Sequence, residues 1–271
     1  MRFVDTHAHI HDKEFARDID ETIQRASVAG VELIVTLGTN LESSTRAIAL
    51  AERSPRVLAA AGVHPHDAAD ASAADLDALE EMARHPRVAL VGEIGLDFYR
   101  DLSPRDAQLR VMRRQLQTAR RVGKPIAVHV RDAHDDALPL LQDYAHGAGG
   151  ALPNGRPLGV MHYFSGDASL AQKYVALGFM ISVHTSVTHP KGEMMRGVAR
   201  EVPIEHLVIE TDSPYGAPQA YRGKRNEPAY VREAAAMIAE QKGISLEAAA
   251  KATTRNALRL LGVAVPAGPA R

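Results

Sequence analysis

Eight short apolar runs, rich in β-branched residues, recur along the chain, and most of them end on polar residues. They are FVDTHAH (3–9), ELIVTLG (32–38), RVLAAAGVHP (56–65), RVALVGEIGLD (87–97), PIAVHVR (125–131), LGVMHYF (158–164), GFMISVH (178–184) and HLVIETD (206–212). Runs of this length and composition read as strands. The segments between them read as helices, among them ESSTRAIALAERS (42–54) and PRDAQLRVMRRQLQTARRVG (104–123). In the second, Leu109, Met112, Leu116 and Ala119 recur at helical spacing, with Ser103 as N-cap, Pro104 at the first helical position and Gly123 as the stop. Strands alternating with helices imply a parallel sheet. Eight such units imply a closed (β/α)8 TIM barrel, which typically takes about 250 residues as one domain, with an open doubly wound sheet as the alternative.

The chain has 271 residues, so one barrel domain over 1–262 accounts for almost all of it. The last residues, VAVPAGPAR (263–271), read as a flexible tail. The Gly- and Pro-rich HGAGGALPNGRPLG (146–159) reads as a long surface loop and not a linker, because a strand-like run follows at once. Two further helices follow the eighth strand, at 227–243 and 245–262, the latter capped by Ser245.

In such a barrel the C-terminal strand ends form the active face. Of the 13 histidines, His7, His9, His11, His64, His66, His129, His162 and His184 lie in or just past the strand-like runs, together with Glu93, Asp97, Arg131 and Asp212. Residues i and i+2 of a strand share a face, so His7 and His9 present two nitrogens side by side, as one divalent metal requires. An isolated HxH is as readily a pair of ordinary strand-edge histidines. Further histidines and acids at the same mouth change the balance, since burying them together is costly unless they are paired or metal-bound. Glu93 follows a strongly apolar strand and can bridge two ions through its two oxygens, or serve as a salt-bridged or capping residue. Asp212 suits a ligand and general base, with an N-cap as the plainer reading.

Composition excludes several classes. The net charge is -1, with no Trp and 4% aromatics, so neither a basic footprint nor an extended base-stacking platform is expected. There is no Cys, which removes disulfides and thiolate sites. No run approaches a membrane span and the first residues lack a signal-peptide pattern, so the expected location is cytoplasmic, with no membrane and no obligate protein partner.

DTHAHI (5–10), GVHPHD (62–67), GEIGLDFY (92–99), VHVRDA (128–133), HYFSG (162–166), ETDSPY (210–215) and RGKRNEP (222–228) stand in order along nearly the whole chain. Together they resemble the motifs of the TatD family of metal-dependent hydrolases, within the amidohydrolase-like barrels. The resemblance implies a two-metal site at the C-terminal strand ends, with Mg, Mn or Zn as candidate ions, and deoxyribonuclease activity. It places the ligands at His7, His9, Glu93, His129, His162 and Asp212: the first ion on His7, His9, Glu93 and Asp212, the second on Glu93, His129 and His162. His11 matches no ligand position and is expected in a loop near substrate, not as a ligand.

His64, Arg131 and Tyr99 are the expected substrate or phosphate contacts, His64 as a protonated donor. Arg131 could instead pair with Asp132 or Asp135, and His66 is as readily a turn residue. Arg222, Lys224 and Arg225 fit a structural clamp or a phosphate contact equally. Three features depart from the family pattern: Tyr163 stands where Cys is frequent, the 146–159 loop is long, and His184 and His189 have no assigned role. The expected reaction is attack of a metal-activated water on a phosphodiester, with Glu93 and Asp212 catalytic and Asp212 taking the proton. Single strands or ends of DNA are the expected substrate, with 3'-5' exonuclease-like trimming. The alternatives are hydrolysis of a small ester, lactone or phosphoester, an aminoacyl-tRNA deacylase on the same site, or a non-enzymatic binding module.

Overall fold

A computed structural model describes residues 1–263. The strands are β1 (Phe3–Ala8), β2 (Val31–Leu37), β3 (Val57–Ala61), β4 (Val88–Asp97), β5 (Ile126–Arg131), β6 (Gly159–His162), β7 (Phe179–His184) and β8 (Leu207–Glu210). All seven successive pairings are parallel, in the order β1 to β8. The backbone just past β8 meets β1 through Asp212 N–H donating to the His7 carbonyl at 2.9 Å and His9 N–H donating to the Ser213 carbonyl at 2.7 Å. The sheet is therefore a (β/α)8 barrel, as the alternation of runs predicts, and not an open doubly wound sheet. Its helices are α1 (Ile19–Val28), α2 (Leu41–Arg53), α3 (Ala73–Ala83), α4 (Arg105–Val122), α5 (His134–Gly147), α6 (Ala168–Ala176), α7 (Glu193–Glu201), α8 (Val231–Lys242) and α9 (Leu246–Leu261). Among the described residues, no helix is long and apolar enough to cross a membrane.

Strand alternation splits the apolar residues into two cores. Phe3, Ile34, Val91 and Ile126 pack with helix residues such as Leu50 and Met112, while Val4, Leu33, Leu90, Val160 and Val208 form a second cluster with Leu260 and Leu261 of α9. Two strands break their register where chemistry begins: β1 between Asp5 and Ala8, and β4 between Val91 and Ile94. Irregularities of this kind re-aim side chains, and these two bracket His7 and Glu93. Gly95 (φ +147) lies so close to β5 that a Cβ would collide with the His129 carbonyl, so this position in GEIG must lack a side chain.

The N-terminus of α4 differs from expectation. The helix starts at Arg105 with Pro104 at the cap position. The Ser103 hydroxyl is spent elsewhere, donating to the His66 carbonyl at 2.7 Å and accepting from Ala69 N–H at 3.0 Å. Ser245 does cap α9, accepting from Ala248 N–H. Residues 146–159 are only partly loop, since α5 runs through Gly147 and a 3-10 turn spans Pro153–Gly155. They enter β6 at its N-terminal end, opposite the face carrying the histidines, so their length does not bear on the site. Of the expected tail, 264–271 lie outside the described residues.

Candidate metal centre

Glu93 is the hub. Its side chain is buried, and its two oxygens face different partners: Oε2 lies 3.3 Å from His7 Nε2 and 3.6 Å from His9 Nε2. Oε1 lies 3.2 Å from His129 Nδ1, 3.4 Å from His162 Nε2 and 3.5 Å from His64 Nε2. Asp212 Oδ1 completes the first group, 3.5 Å from His9 Nε2 and 3.9 Å from His7 Nε2. All six residues expected as ligands thus converge from β1, β4, β5, β6 and the end of β8. Three compact donor groups result: His7, His9 and Asp212; His7, Glu93 and His162; and His64, Glu93 and His129. The tightest groups thus set His162 beside His7 and His129 beside His64, while His129 Nδ1 and His162 Nε2 both face Glu93 Oε1.

The chemistry of the donors suits a divalent ion. His7 Nε2 and His9 Nε2 stand 3.2 Å apart, too close for two bare lone pairs. Ligands about 2.0–2.2 Å from a tetrahedral ion are separated by roughly 3.3–3.6 Å, close to the 3.2 Å seen here. The far nitrogens of three histidines are engaged. His9 Nδ1–H donates to the Leu37 carbonyl at 2.9 Å, His129 Nε2 faces Asp97 at 3.3 Å, and His162 Nδ1 faces Glu210 at 3.0 Å. An acceptor behind each ring holds its proton there and turns the other lone pair inward, the usual arrangement behind metal-binding histidines.

Electrostatics agree. Burial favours a neutral Glu93, but His64, His162 and His7 around it hold its carboxyl well below the ordinary value. Burial lowers the affinity of His9 and His129 for protons, yet facing acids (Asp212 and Glu93 for His9, Asp97 and Glu93 for His129) raise both to about 9. The cluster is a set of acids and bases held together out of water, where a divalent cation would take the place of the protons on the histidines.

His64 sits at the mouth but in another state than expected. Burial pushes its pKa well below the ordinary value, so it is neutral. Its Nδ1 accepts the His66 N–H at 3.1 Å, which leaves the proton on Nε2, facing the cavity as a donor. Arg131 forms no ion pair with Asp132 or Asp135; its guanidinium lies 3.8 Å over the Tyr99 ring. Tyr99 thus supports Arg131, and the cavity lining includes Arg131 but not Tyr99. His66 is more than a turn residue, because its Nε2 meets Asp97 Oδ2 at 2.8 Å. Arg225 is a clamp: it donates to both Asp18 oxygens at 2.7 Å and to Glu227 at 2.8 Å. The His11 ring lies outside the lining of the cavity over the centre, between the Thr36 and Ser43 hydroxyls at 2.7 and 2.8 Å. His189 donates to the Ala217 carbonyl. His184 stacks on Tyr163 with ring centroids 3.8 Å apart, and the Tyr163 N–H donates to Glu210 at 2.7 Å.

Sequence reasoning missed Glu210, although it lies in the ETDSPY motif; its strand position, two before Asp212, was the available signal. It also missed Asp5, which accepts from Thr211 N–H at 2.9 Å and Thr211 Oγ1–H at 2.6 Å and so ties β1 to β8. Burial raises the Asp5 carboxyl to about 8. Arg100, Thr39 and Tyr215 line the cavity as well; Tyr215 closes the ETDSPY motif, and nothing in the local sequence marks the other two.

Comparison with known proteins follows this geometry. The family model described as TatD related DNase matches residues 4–262. An "uncharacterized metal-dependent hydrolase YabD" of Bacillus subtilis is 39% identical over 96% of this chain and 98% of its own length. The "3'-5' ssDNA/RNA exonuclease TatD" of Salmonella typhimurium is 36% identical over 96% of this chain and 98% of its own. The crystal structure of the TatD homolog YjjV from Escherichia coli superposes with a TM-score of 0.88 at 31% identity, covering 97% of this chain and 99% of that one.

Proposed function

The chain belongs to the TatD-related DNase family of metal-dependent hydrolases, and from that premise we propose that it is a phosphodiesterase trimming single-stranded nucleic acid from the 3' end. The barrel at 1–262 is the whole catalytic domain on this reading. The observation that carries it is the convergence of four histidines on Glu93 and Asp212, three of them with the remote nitrogen already engaged. His7, His9, Glu93 and Asp212 would hold one divalent ion, and His129 and His162 with Glu93 would hold another. Mg, Mn and Zn are the candidates, and mixed nitrogen and oxygen donors suit the last two best. Ions bound there supply an activated water and neutralise phosphate charge.

The chain's own residues do the rest. Asp212 faces the cavity and takes the proton of the attacking water. His64 donates from Nε2 to a phosphate oxygen without carrying charge. Arg131, steadied on Tyr99, grips the phosphate through its planar fork. The support for nucleic acid is the activity for which the exonuclease relatives are named together with this anion-directed mouth.

The test is cleavage of end-labelled single-stranded and duplex DNA by metal-reconstituted protein, with products mapped. Shortening of single strands from the 3' end is the expected result. The double variant Glu93→Ala, Asp212→Ala should lose roughly a thousandfold or more of kcat/KM with its circular dichroism unchanged. Intact DNA with every divalent metal, alongside cleavage of small esters or lactones, overturns the nuclease reading.

A further inference from the structure

The cavity over the metal centre is unevenly charged. It has a volume of about 510 Å³, and its lining includes Asp12 from the β1 side, Asp67 from the β3 side, and Arg100 and Arg131 from the ends of β4 and β5. Both arginines are exposed. Among the described residues, neither guanidinium forms an ion pair or a hydrogen bond with a protein side chain. Arg25 and Arg225, by contrast, are consumed by Asp18 and Glu227.

The backbone that carries Arg100 and the guanidinium of Arg131 are also held in place. Asp97 Oδ1 accepts the N–H groups of Tyr99 at 3.0 Å and Arg100 at 2.8 Å, which fixes the turn carrying both. Gln108 of α4 pins the same turn, accepting from Asp97 N–H and donating to the carbonyls of Asp97 and Ser103. Tyr99 then supports Arg131 from below. The other oxygen of Asp97 faces His129 and His66, so one carboxylate sets both a ligand of the centre and the turn beside it. An unpaired guanidinium carried on a fixed backbone recognises phosphate with less ordering cost than one on a free loop.

Resting on the phosphodiesterase reading above, we infer that the β4–β5 sector of the mouth is a second phosphate subsite. Arg100 there binds the phosphate adjacent to the scissile one. Arg131 lies between that subsite and the centre. The substrate class follows: a strand with at least two phosphates, laid over β4 and β5 and away from Asp12 and Asp67. Arg100 becomes a residue that sets specificity for a chain over an isolated diester.

The experiment compares Arg100→Ala and Arg100→Lys with the parent protein, metal-reconstituted, on a short oligothymidylate and on bis(p-nitrophenyl) phosphate, which has a single phosphate. Arg100→Ala should raise KM for the oligonucleotide about tenfold more than for the one-phosphate diester, with Arg100→Lys recovering much of the difference. The dependence of log KM on log salt for the oligonucleotide should fall by roughly 0.7, the loss of one single-strand phosphate contact. Equal effects on the two substrates, or an unchanged salt slope, overturn the subsite and leave the phosphodiesterase reading standing. Parent protein inactive on both substrates overturns that reading, and the subsite with it.

Discussion

His11 stands two residues beyond His9, yet its chemistry is opposite. Both of its ring nitrogens face hydroxyls, Thr36 on one side and Ser43 on the other. Burial, with His9 and Arg46 nearby, lowers its pKa to about 3, and Asp12 at 3.4 Å is the facing acid. A histidine held neutral in the folded state takes up its proton on unfolding at pH values between about 3 and its ordinary 6.5. The unfolded chain then binds more protons, so stability rises with pH across that window and is flat above it. At about 1.4 kcal/mol per pKa unit the contribution is on the order of a few kcal/mol. His11→Gln should therefore weaken the dependence of the urea midpoint on pH between 4.5 and 6.5, measured beside the parent. Identical pH slopes in the two proteins contradict this account. The opening motif holds two kinds of histidine, and spacing alone puts His7, His9 and His11 on one face. The family motif separates the ligands from His11, while the two hydroxyls that bury it come from β2 and α2, far off in sequence.

At the scale of elements, α4 does two jobs. The helical period marks its apolar face, and Met112, Leu116 and Ala119 are buried as that pattern predicts. The same face also buries Gln108 and Gln115, seven residues apart, which a count of apolar positions treats as outward-facing polar residues. Each exchanges hydrogen bonds with the end of a strand: Gln115 with Val63 N–H and carbonyl at 2.7 and 3.0 Å, Gln108 with Asp97 at 2.8 and 3.1 Å. The helix thereby fixes the exits of β3 and β4, which carry His64 and Glu93. Gln108→Leu keeps the volume and leaves the Asp97 backbone groups and the Ser103 carbonyl unpaired. We expect a loss of about 1–3 kcal/mol in denaturant unfolding, together with a fall in kcat/KM. A variant as stable and as active as the parent removes α4 from the site's support. Strands and helices were legible because their signals are periodic and local. The glutamine bridges, Glu210 behind His162 and Asp5 on Thr211 were not, because each is a pairing across tens or hundreds of residues made by residue types common on any surface.

For the whole molecule, the barrel brings to one place donors that come from His7 at one end of the chain and Asp212 near the other. The eight-fold alternation made closure readable, and closure is what turns scattered strand-end histidines into a single centre. The centre carries a cost of its own. Glu93 and His7 are about 2% and 1% exposed, and nitrogens 3.2 Å apart face each other across it. Folding without cations must bury these groups against one another alone, whereas folding with them couples binding to stability. A ligand at a hundred times its Kd adds about 2.7 kcal/mol, and a chain of this size shifts by roughly 2–4 °C per kcal/mol. A chelator should therefore lower Tm by roughly 5–10 °C and abolish hydrolysis, and a divalent metal should restore both. In Glu93→Ala, which removes the group shared between the two donor sets, the chelator should hardly move Tm. If the chelator shifts parent and variant equally, stabilising cations bind elsewhere; if it shifts neither, the buried cluster holds together without them.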